Sequence, residues 1–482
     1  MEEKREMKLF SNKVTKRIAG LTLAGAMVAG TFTGCGISTS SENTESETEG
    51  ATETASATVE SDSASDGNAT KEVNEVSEVS ATGRTEIEFW YAGGKTAVSV
   101  IDGIVNDFNN SQDEYYVTTV VMADYDETYQ KLQAGIAGNV APDVALIEQD
   151  PARSLNNKDQ LVDLNAFMEG DDSFDRDDYL DVYFNQGVSG DVTYALPAYG
   201  STQIMYYNKS VFEQAGVNAE EITTWQELAE VSKQIKADGI ADYGWEPMWG
   251  DDNLIDMAFS NGAQLISDDG KTVLINSEEW VSVWEDVRIW IHDDEIMTVH
   301  SGGQGWEYWY DTMDDAVDGT AGGYTGSSGD QADLDFSVVG AMEQLAWDDD
   351  STAYPAAWAK ELVAIAQSPE EEQKGAYEFM KYFTSPECQA AFSIATGYVS
   401  VRASARETED YKAYSEEHPE ILVPLSQSEH ASVRPIDPTD GEIYDALATA
   451  ADKVELEGIS AQEALDEAAE IAQKALDKVN EE

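Results

Sequence analysis

Glu86-Ile-Glu-Phe-Trp-Tyr91 alternates polar and apolar residues in period two, the pattern of a half-buried β-strand, and it opens the part of the chain that reads as folded. Gly93-Gly94 break it, and Val98, Ile101, Ile104, Val105 and Phe108 then recur at helical spacing. Tyr115 to Val121 reads as a second strand. A helix with Leu132 and Ile136 on one face follows, and Asp143-Val-Ala-Leu-Ile147 is a short apolar third strand. Strand–helix–strand–helix–strand is the signature of a parallel α/β sheet.

Further along, Thr224-Trp-Gln-Glu227 and Ser460-Ala-Gln-Glu463 have the form of capping boxes, and Ser368-Pro-Glu-Glu371 sets a proline at an expected first helical position. The helix predicted after Ser460 carries Ala464, Leu465, Ala468, Ile471, Ala472, Leu476 and Val479 as an apolar face for packing. Trp280, Trp284 and Val287 repeat at i, i+4, i+7 and read as core.

Toward the N-terminus, residues 36–84 are mostly Ser, Thr, Glu, Ala and Asp, with almost no large apolar side chain. Such a stretch buries too little surface to offset its ordering entropy, so residues 35–84 are expected to form a disordered tether, extended by repulsion among its acids. Ahead of it, Lys4, Arg5, Lys8, Lys13, Lys16 and Arg17 precede a Gly/Ala-rich apolar run from Ile18 to Phe32. That run is shorter than the roughly 20 apolar residues of a membrane-spanning helix. A charged start, a short apolar run and small residues at its end are the layout of an export signal over residues 1–34. Phe32-Thr-Gly-Cys35 resembles a bacterial lipobox, with Phe32 where leucine is usual. The resemblance implies that Cys35 is lipidated and holds the chain to the outer face of the cytoplasmic membrane.

Composition narrows the function. The formal net charge is −67, so the basic footprint of a nucleic-acid binder is missing. With Cys35 lipidated, Cys388 is the one remaining cysteine, read as a buried inert thiol. There is no His-Glu-x-x-His, Gly-x-Ser-x-Gly or Gly-x-x-x-x-Gly-Lys-Ser/Thr. His292, His300, His418 and His430 are too scattered in sequence to suggest a zinc site, so no metal and no cofactor is expected. A cell-surface glycosidase needs only two carboxylates, but among 95 acidic residues a pair carries no specificity. The aromatics are more telling. Trp245, Trp249, Trp306, Tyr308, Trp309, Tyr310 and Trp358 fall in segments rich in Gly, Asp and Asn, outside apolar periodicity. Aromatic platforms beside a few polar groups are what a sugar pocket requires.

Collinear with these features are Ile87-Glu-Phe-Trp-Tyr91, Leu132-Gln-Ala-Gly-Ile136, Ala141-Pro-Asp-Val144, Leu196-Pro197, Tyr206-Tyr-Asn-Lys209, Thr224-Trp-Gln-Glu-Leu228, Ala376-Tyr-Glu-Phe-Met-Lys-Tyr-Phe383 and Thr396-Gly-Tyr398. Over residues 85–482 the chain resembles the family 1 extracellular solute-binding proteins of bacterial ABC importers, in the glycerol-3-phosphate and multiple-sugar branch. The resemblance implies an α/β, two-lobed, periplasmic-binding-protein-like fold of class II type, with a ligand cleft between lobes joined by crossover strands. It implies an N-lobe of 85–197 plus 317–358 and a C-lobe of 198–316 plus 359–482, with crossings near Tyr194–Tyr199, Val317 and Trp358. It further implies a non-enzymatic, extracytoplasmic monomer that closes on a small molecule and hands it to membrane permease subunits.

Carried over by position, the resemblance implies ligand contacts at Tyr125, at Glu148 or Gln149, at Ser201, at Trp249 with Trp245, at Ser327 or Ser328 in Thr325-Gly-Ser-Ser-Gly329, at Tyr398 and at Arg434. Where the family often has Gly-Gly and a small residue, this chain has Ala356-Ala-Trp-Ala359. Trp358 adds a stacking surface there and favours a mono- or oligosaccharide. Arg434 keeps a glycerol-3-phosphate, polyol-phosphate or phosphodiester ligand open, because an arginine fork matches phosphate.

Overall fold

The computed structural model describes residues 81–303 and 306–481; the expected export signal, Cys35 and the expected tether up to residue 80 lie outside the described residues. The sheet begins as the sequence predicts. Strand β1 (Thr85–Tyr91) runs parallel to β2 (Tyr115–Val121) along its whole length and to β3 (Val144–Glu148) at Phe89 and Trp90. Between them, α1 (Lys95–Ser111) buries Ala97, Ile101, Ile104, Val105 and Phe108. Helix α2 (Tyr125–Gly138) buries Leu132 and Ile136, and the Asp124 side chain accepts from the Glu127 backbone N–H at 2.7 Å to cap it. Each fully buried Leu or Ile of these stripes contributes about 1.5–3 kcal/mol.

Strand β4 (Ala195–Asn208) is long enough to serve two cores. Leu196, Ala198 and Tyr199 pack with Ile87 and Phe89, whereas Met205 packs with Trp225, Trp280 and Trp284. The second lobe gathers α3 (Trp225–Ala237), β5 (Glu246–Pro247), α4 (Asp251–Ser260), α5 (Glu278–Arg288), α6 (Glu307–Asp318), β6 (Gly323–Ser327) and β7 (Val339–Met342). Strand β8 (Ala357–Ala364) then crosses back, antiparallel to both β3 and β4, with a register shift between Lys360 and Glu361. The sheet order is β2-β1-β3-β8-β4-β6-β5, with β7 also paired to β4. Gly200 sits on the crossing strand because a Cβ there would lie under 3.0 Å from three atoms of the Tyr183 ring.

The chain's return differs from the expected segmentation. Residues 317–358 do not join the first lobe: Tyr324 packs with Ile204 and Met313, and Leu345 and Trp347 pack with Trp290. Residues 359–401 do join it. Leu362, α7 (Glu370–Phe383) and α8 (Pro386–Thr396) cover β1, with Phe379 edge-on to Phe89 at 5.1 Å. Val317 therefore lies within α6, and the second crossing falls at Ala356–Trp358. A third passes through α9 (Leu422–Ser428), whose Gln427 Nε2 donates to Thr202 Oγ1 and to the Gln203 carbonyl. Core packing and strand pairing, both long-range, separate 317–358 from 359–401.

Local signals behave in kind. The Thr224 capping box forms in full. Pro369 stands at the N-cap rather than inside α7, which starts at Glu370. After α10 (Glu442–Glu455), α11 (Ala461–Glu481) buries Ala464, Leu465, Ala468, Ala472 and Leu476 but leaves Ile471 and Val479 exposed, because α10 covers only part of its surface. Cys388 is half-buried, and burial pushes its thiol up to about 11. Among the described residues, no helix is long and apolar enough to cross a membrane.

Candidate functional site: the inter-lobe cleft

A cavity of about 1650 Å³ lies where the two lobes face each other. The first lobe contributes Tyr125 at the start of α2, Glu148 and Gln149 at the end of β3, and Tyr398 after α8. The second contributes Trp249, Ser327 and Arg434, and the crossing strands bring Ser201 and Trp358 between them. Nine of the eleven predicted contact positions thus meet in one cavity.

Two do not. Trp245 is fully buried: its indole N–H donates to Thr325 Oγ1 at 3.0 Å, and Gly323 leaves room for its ring. In Gly244-Trp-Glu-Pro-Met-Trp-Gly250 both tryptophans have a glycine neighbour, so the sequence does not separate core from surface. Ser328 is buried behind the strand end, whereas the Ser327 hydroxyl lies 3.2 Å from Ser201 Oγ.

The site's side chains are held by one another. The Tyr125 hydroxyl is 2.6 Å from that of Tyr199, and burial pushes Tyr125 up to about 12. Tyr199 in turn packs on Tyr398 at 4.7 Å. Lys360 pairs with Glu148, and its ammonium lies 4.2 Å from the Tyr125 ring centroid. Trp249 donates to Asp452 at 2.8 Å and meets Tyr308 edge-on at 4.9 Å. Trp309 donates to Asp330 at 2.9 Å; Asp330, which also accepts from Tyr324, is pushed up to about 7 by burial. Both indoles are therefore fixed in orientation before any ligand arrives.

Sequence reasoning missed Lys360 and Asp330 in the cleft, and singled out Trp309 only as one of the aromatics of a sugar pocket, not as a contact position. Lys360 had a signal: in Ala357-Trp-Ala-Lys-Glu361, period-two alternation puts it on the same strand face as Trp358. Trp309 stood out as an aromatic in a polar segment, but nothing in the sequence tied helix α6 to the cleft.

The charge arrangement decides what the cleft favours. Eleven carboxylates and five cations line it. Arg434 is not free: Nη1 donates to Asp252 Oδ1 at 2.7 Å, Nη2 to Asp256 Oδ1 at 3.0 Å, and its guanidinium lies 4.8 Å from the Trp358 ring centroid. Arg153 is paired with Asp150 and Lys360 with Glu148.

A two-lobed α/β protein with an inter-lobe cleft lined from both sides defines a ligand-capturing class. Residues 103–419 match the family model for bacterial extracellular solute-binding protein, and the chain belongs to that family. Among curated relatives, the sn-glycerol-3-phosphate-binding periplasmic protein UgpB of Rhizobium meliloti (strain 1021) is 26% identical over 368 residues, 72% of this chain and 82% of that protein. The UgpB of Agrobacterium fabrum (strain C58) is 33% identical over 173 residues, 34% of this chain and 39% of that protein. In structure, UgpB of Mycobacterium tuberculosis in complex with glycerophosphocholine superposes with a TM-score of 0.72 at 21% identity, over 82% of this chain and 99% of that one. The GacH receptor of Streptomyces glaucescens, solved unliganded and with acarbose, gives 0.70 at 18% identity, over 82% and 99%. At these identities the structural likeness is one of fold.

Proposed function

We propose that this protein is the lipid-anchored, extracytoplasmic binding component of an ABC importer, capturing a carbohydrate by cleft closure and delivering it to membrane permease subunits. The observation that carries the carbohydrate reading is the set of indoles, Trp249, Trp309 and Trp358, presented in one cleft where carboxylates outnumber cations and Arg153, Lys360 and Arg434 are already paired. Indole faces stack on sugar C–H surfaces while carboxylates and hydroxyls accept from sugar O–H groups. A volume of about 1650 Å³ exceeds the roughly 300–1,000 Å³ of ordinary small-molecule pockets and suits an oligosaccharide of several rings. In this reading the lobes are 85–200 with 357–421, and 201–356 with 422–481, and the protein acts as a monomer. Contacts made in both lobes drive closure, because a ligand shifts an equilibrium only through its differential affinity for the two states.

A second reading, a receptor for glycerol-3-phosphate or a phosphodiester, is favoured by the names of the curated relatives. The paired Arg434 and the excess of carboxylates weigh against a phosphate dianion, which an acidic cleft repels. A thermal-shift and tryptophan-fluorescence panel separates the readings. Oligosaccharides are expected to raise the melting temperature saturably, with no product formed and no response to glycerol-3-phosphate. A response confined to glycerol-3-phosphate or glycerophosphocholine would move the assignment to the second reading. Release of reducing sugar would make the protein an enzyme.

Anchoring rests on the sequence of residues 1–35. Cys35→Ser is expected to move the protein from the membrane fraction to the soluble extracytoplasmic fraction. An unchanged distribution would refute lipidation at Cys35.

A further inference from the structure

Outside the cleft, Glu246, on β5, His300, in the loop before α6, and Asp315, on α6, come to one point. His300 Nε2 lies 2.9 Å from Asp315 Oδ2 and 3.8 Å from Glu246 Oε2. One ligand atom from each residue falls within 4.8 Å of the others. None of the three lines the cleft cavity.

Glu246 is the informative member. Its side chain is fully buried, and neither carboxylate oxygen has a hydrogen-bond partner among the described residues. Burying such a group without a partner is costly, and native proteins rarely leave it so. The His300 ring nitrogen that faces Glu246 is already within bonding distance of Asp315. A divalent cation answers all three residues together.

The donor set selects among cations. One imidazole nitrogen and two carboxylate oxygens suit zinc(II), whose ligands at about 2.0–2.2 Å on a tetrahedron sit ~3.3–3.6 Å apart. The separations of 2.9 and 3.8 Å bracket that range. Calcium and magnesium take six or more oxygen ligands and gain nothing from an imidazole.

We propose that Glu246, His300 and Asp315 form a zinc(II) site, with the fourth position open to solvent on the side where His300 is half-buried. The site ties β5 and the loop at His300 to α6, the helix that presents Tyr308, Trp309 and Met313 to the cleft. Bound zinc thereby stiffens one wall of the ligand site without touching the ligand. The His300 and Glu246 positions lie 54 residues apart, so no ligand spacing betrays the site in the sequence.

The test uses the full chain, stripped with EDTA, desalted, and titrated with zinc chloride at physiological ionic strength to suppress diffuse binding to surface acids. Wild type is expected to take up one zinc per chain tightly and to gain several degrees in melting temperature. His300→Ala is expected to bind it at least ~10-fold more weakly and to lose that gain. Glu246→Gln keeps the side-chain shape and removes the carboxylate ligand. It is expected to be as stable as wild type without zinc and to show no zinc-induced gain. Equal uptake by wild type and His300→Ala would mean that surface carboxylates hold the metal and would overturn the proposal. So would absence of a zinc-induced shift in wild type, or a calcium response of the same size that survives His300→Ala.

Discussion

Trp249→Ala is expected to weaken oligosaccharide binding by about 2–4 kcal/mol, ~30- to 700-fold in Kd, the loss seen when a central, oriented aromatic is truncated. The indole is half-buried in the cleft wall, and its N–H is committed to Asp452 at 2.8 Å. Tyr308 braces it edge-on at 4.9 Å, so the ring loses little rotational freedom when a ligand stacks on it. The expected stability cost is smaller, about 1–2 kcal/mol, because one side-chain hydrogen bond and a partly exposed surface are lost. Trp249→Phe restores a stacking face without the indole N–H and is expected to recover most of the affinity. Titration calorimetry of both variants with the sugar found in the panel is the check. A Trp249→Ala protein that binds like wild type would remove this ring from the site, whatever the ligand proves to be.

Much of the fold was readable because its signals are local. The β1-α1-β2-α2-β3 run follows from period-two and period-3.6 patterns within residues 85–148, and the Thr224 cap from a four-residue motif. Trp280 and Trp284 were separable as core by spacing alone, and both are fully buried. Long-range pairings were not readable. Whether 317–358 or 359–401 completes the first lobe depends on β8 pairing with β3 and β4, a choice that no local pattern encodes. The candidate site shows the same division. The aromatic and polar residue types announced a cleft, yet the sequence did not distinguish buried Trp245 from cavity-lining Trp249. Nor did it show that the arginine kept open for a phosphate is held by two aspartates. Charge pairing across 178 residues between Asp256 and Arg434 is a property of the folded chain.

Arg434→Ala is expected to destabilise the protein by about 3–5 kcal/mol near neutral pH, the cost of leaving a buried charge without its partner. The Arg434 side chain is 9% exposed and that of Asp256 2% exposed, so neither group retains much solvation. Asp256 also accepts from Gln344 Nε2 at 3.0 Å and from the Ala356 N–H at 3.3 Å, bonds that remain when the arginine is gone. Burial pushes the Asp256 carboxyl up from 3.8 to about 6, with the Arg434 charge opposing the shift; without Arg434 it rises further. The folded state then binds a proton that the unfolded state does not, and stability falls as pH rises through the folded-state value. The deficit relative to wild type is therefore smallest below about pH 6, where Asp256 is neutral in both proteins, and grows as pH rises above that, where wild type carries the paired charge. Urea unfolding at about pH 8 and about pH 5 reads this directly. Asp256→Asn in the Arg434→Ala background removes the unpaired charge and is expected to recover a large part of the loss at the higher pH. A deficit independent of pH, unrelieved by Asp256→Asn, would mean that Arg434 stabilises by packing on Trp358 rather than by charge. The same variants test the ligand. A neutral sugar is expected to bind the double variant within a few-fold of wild type, whereas a phosphate ligand that used Arg434 would lose its response entirely.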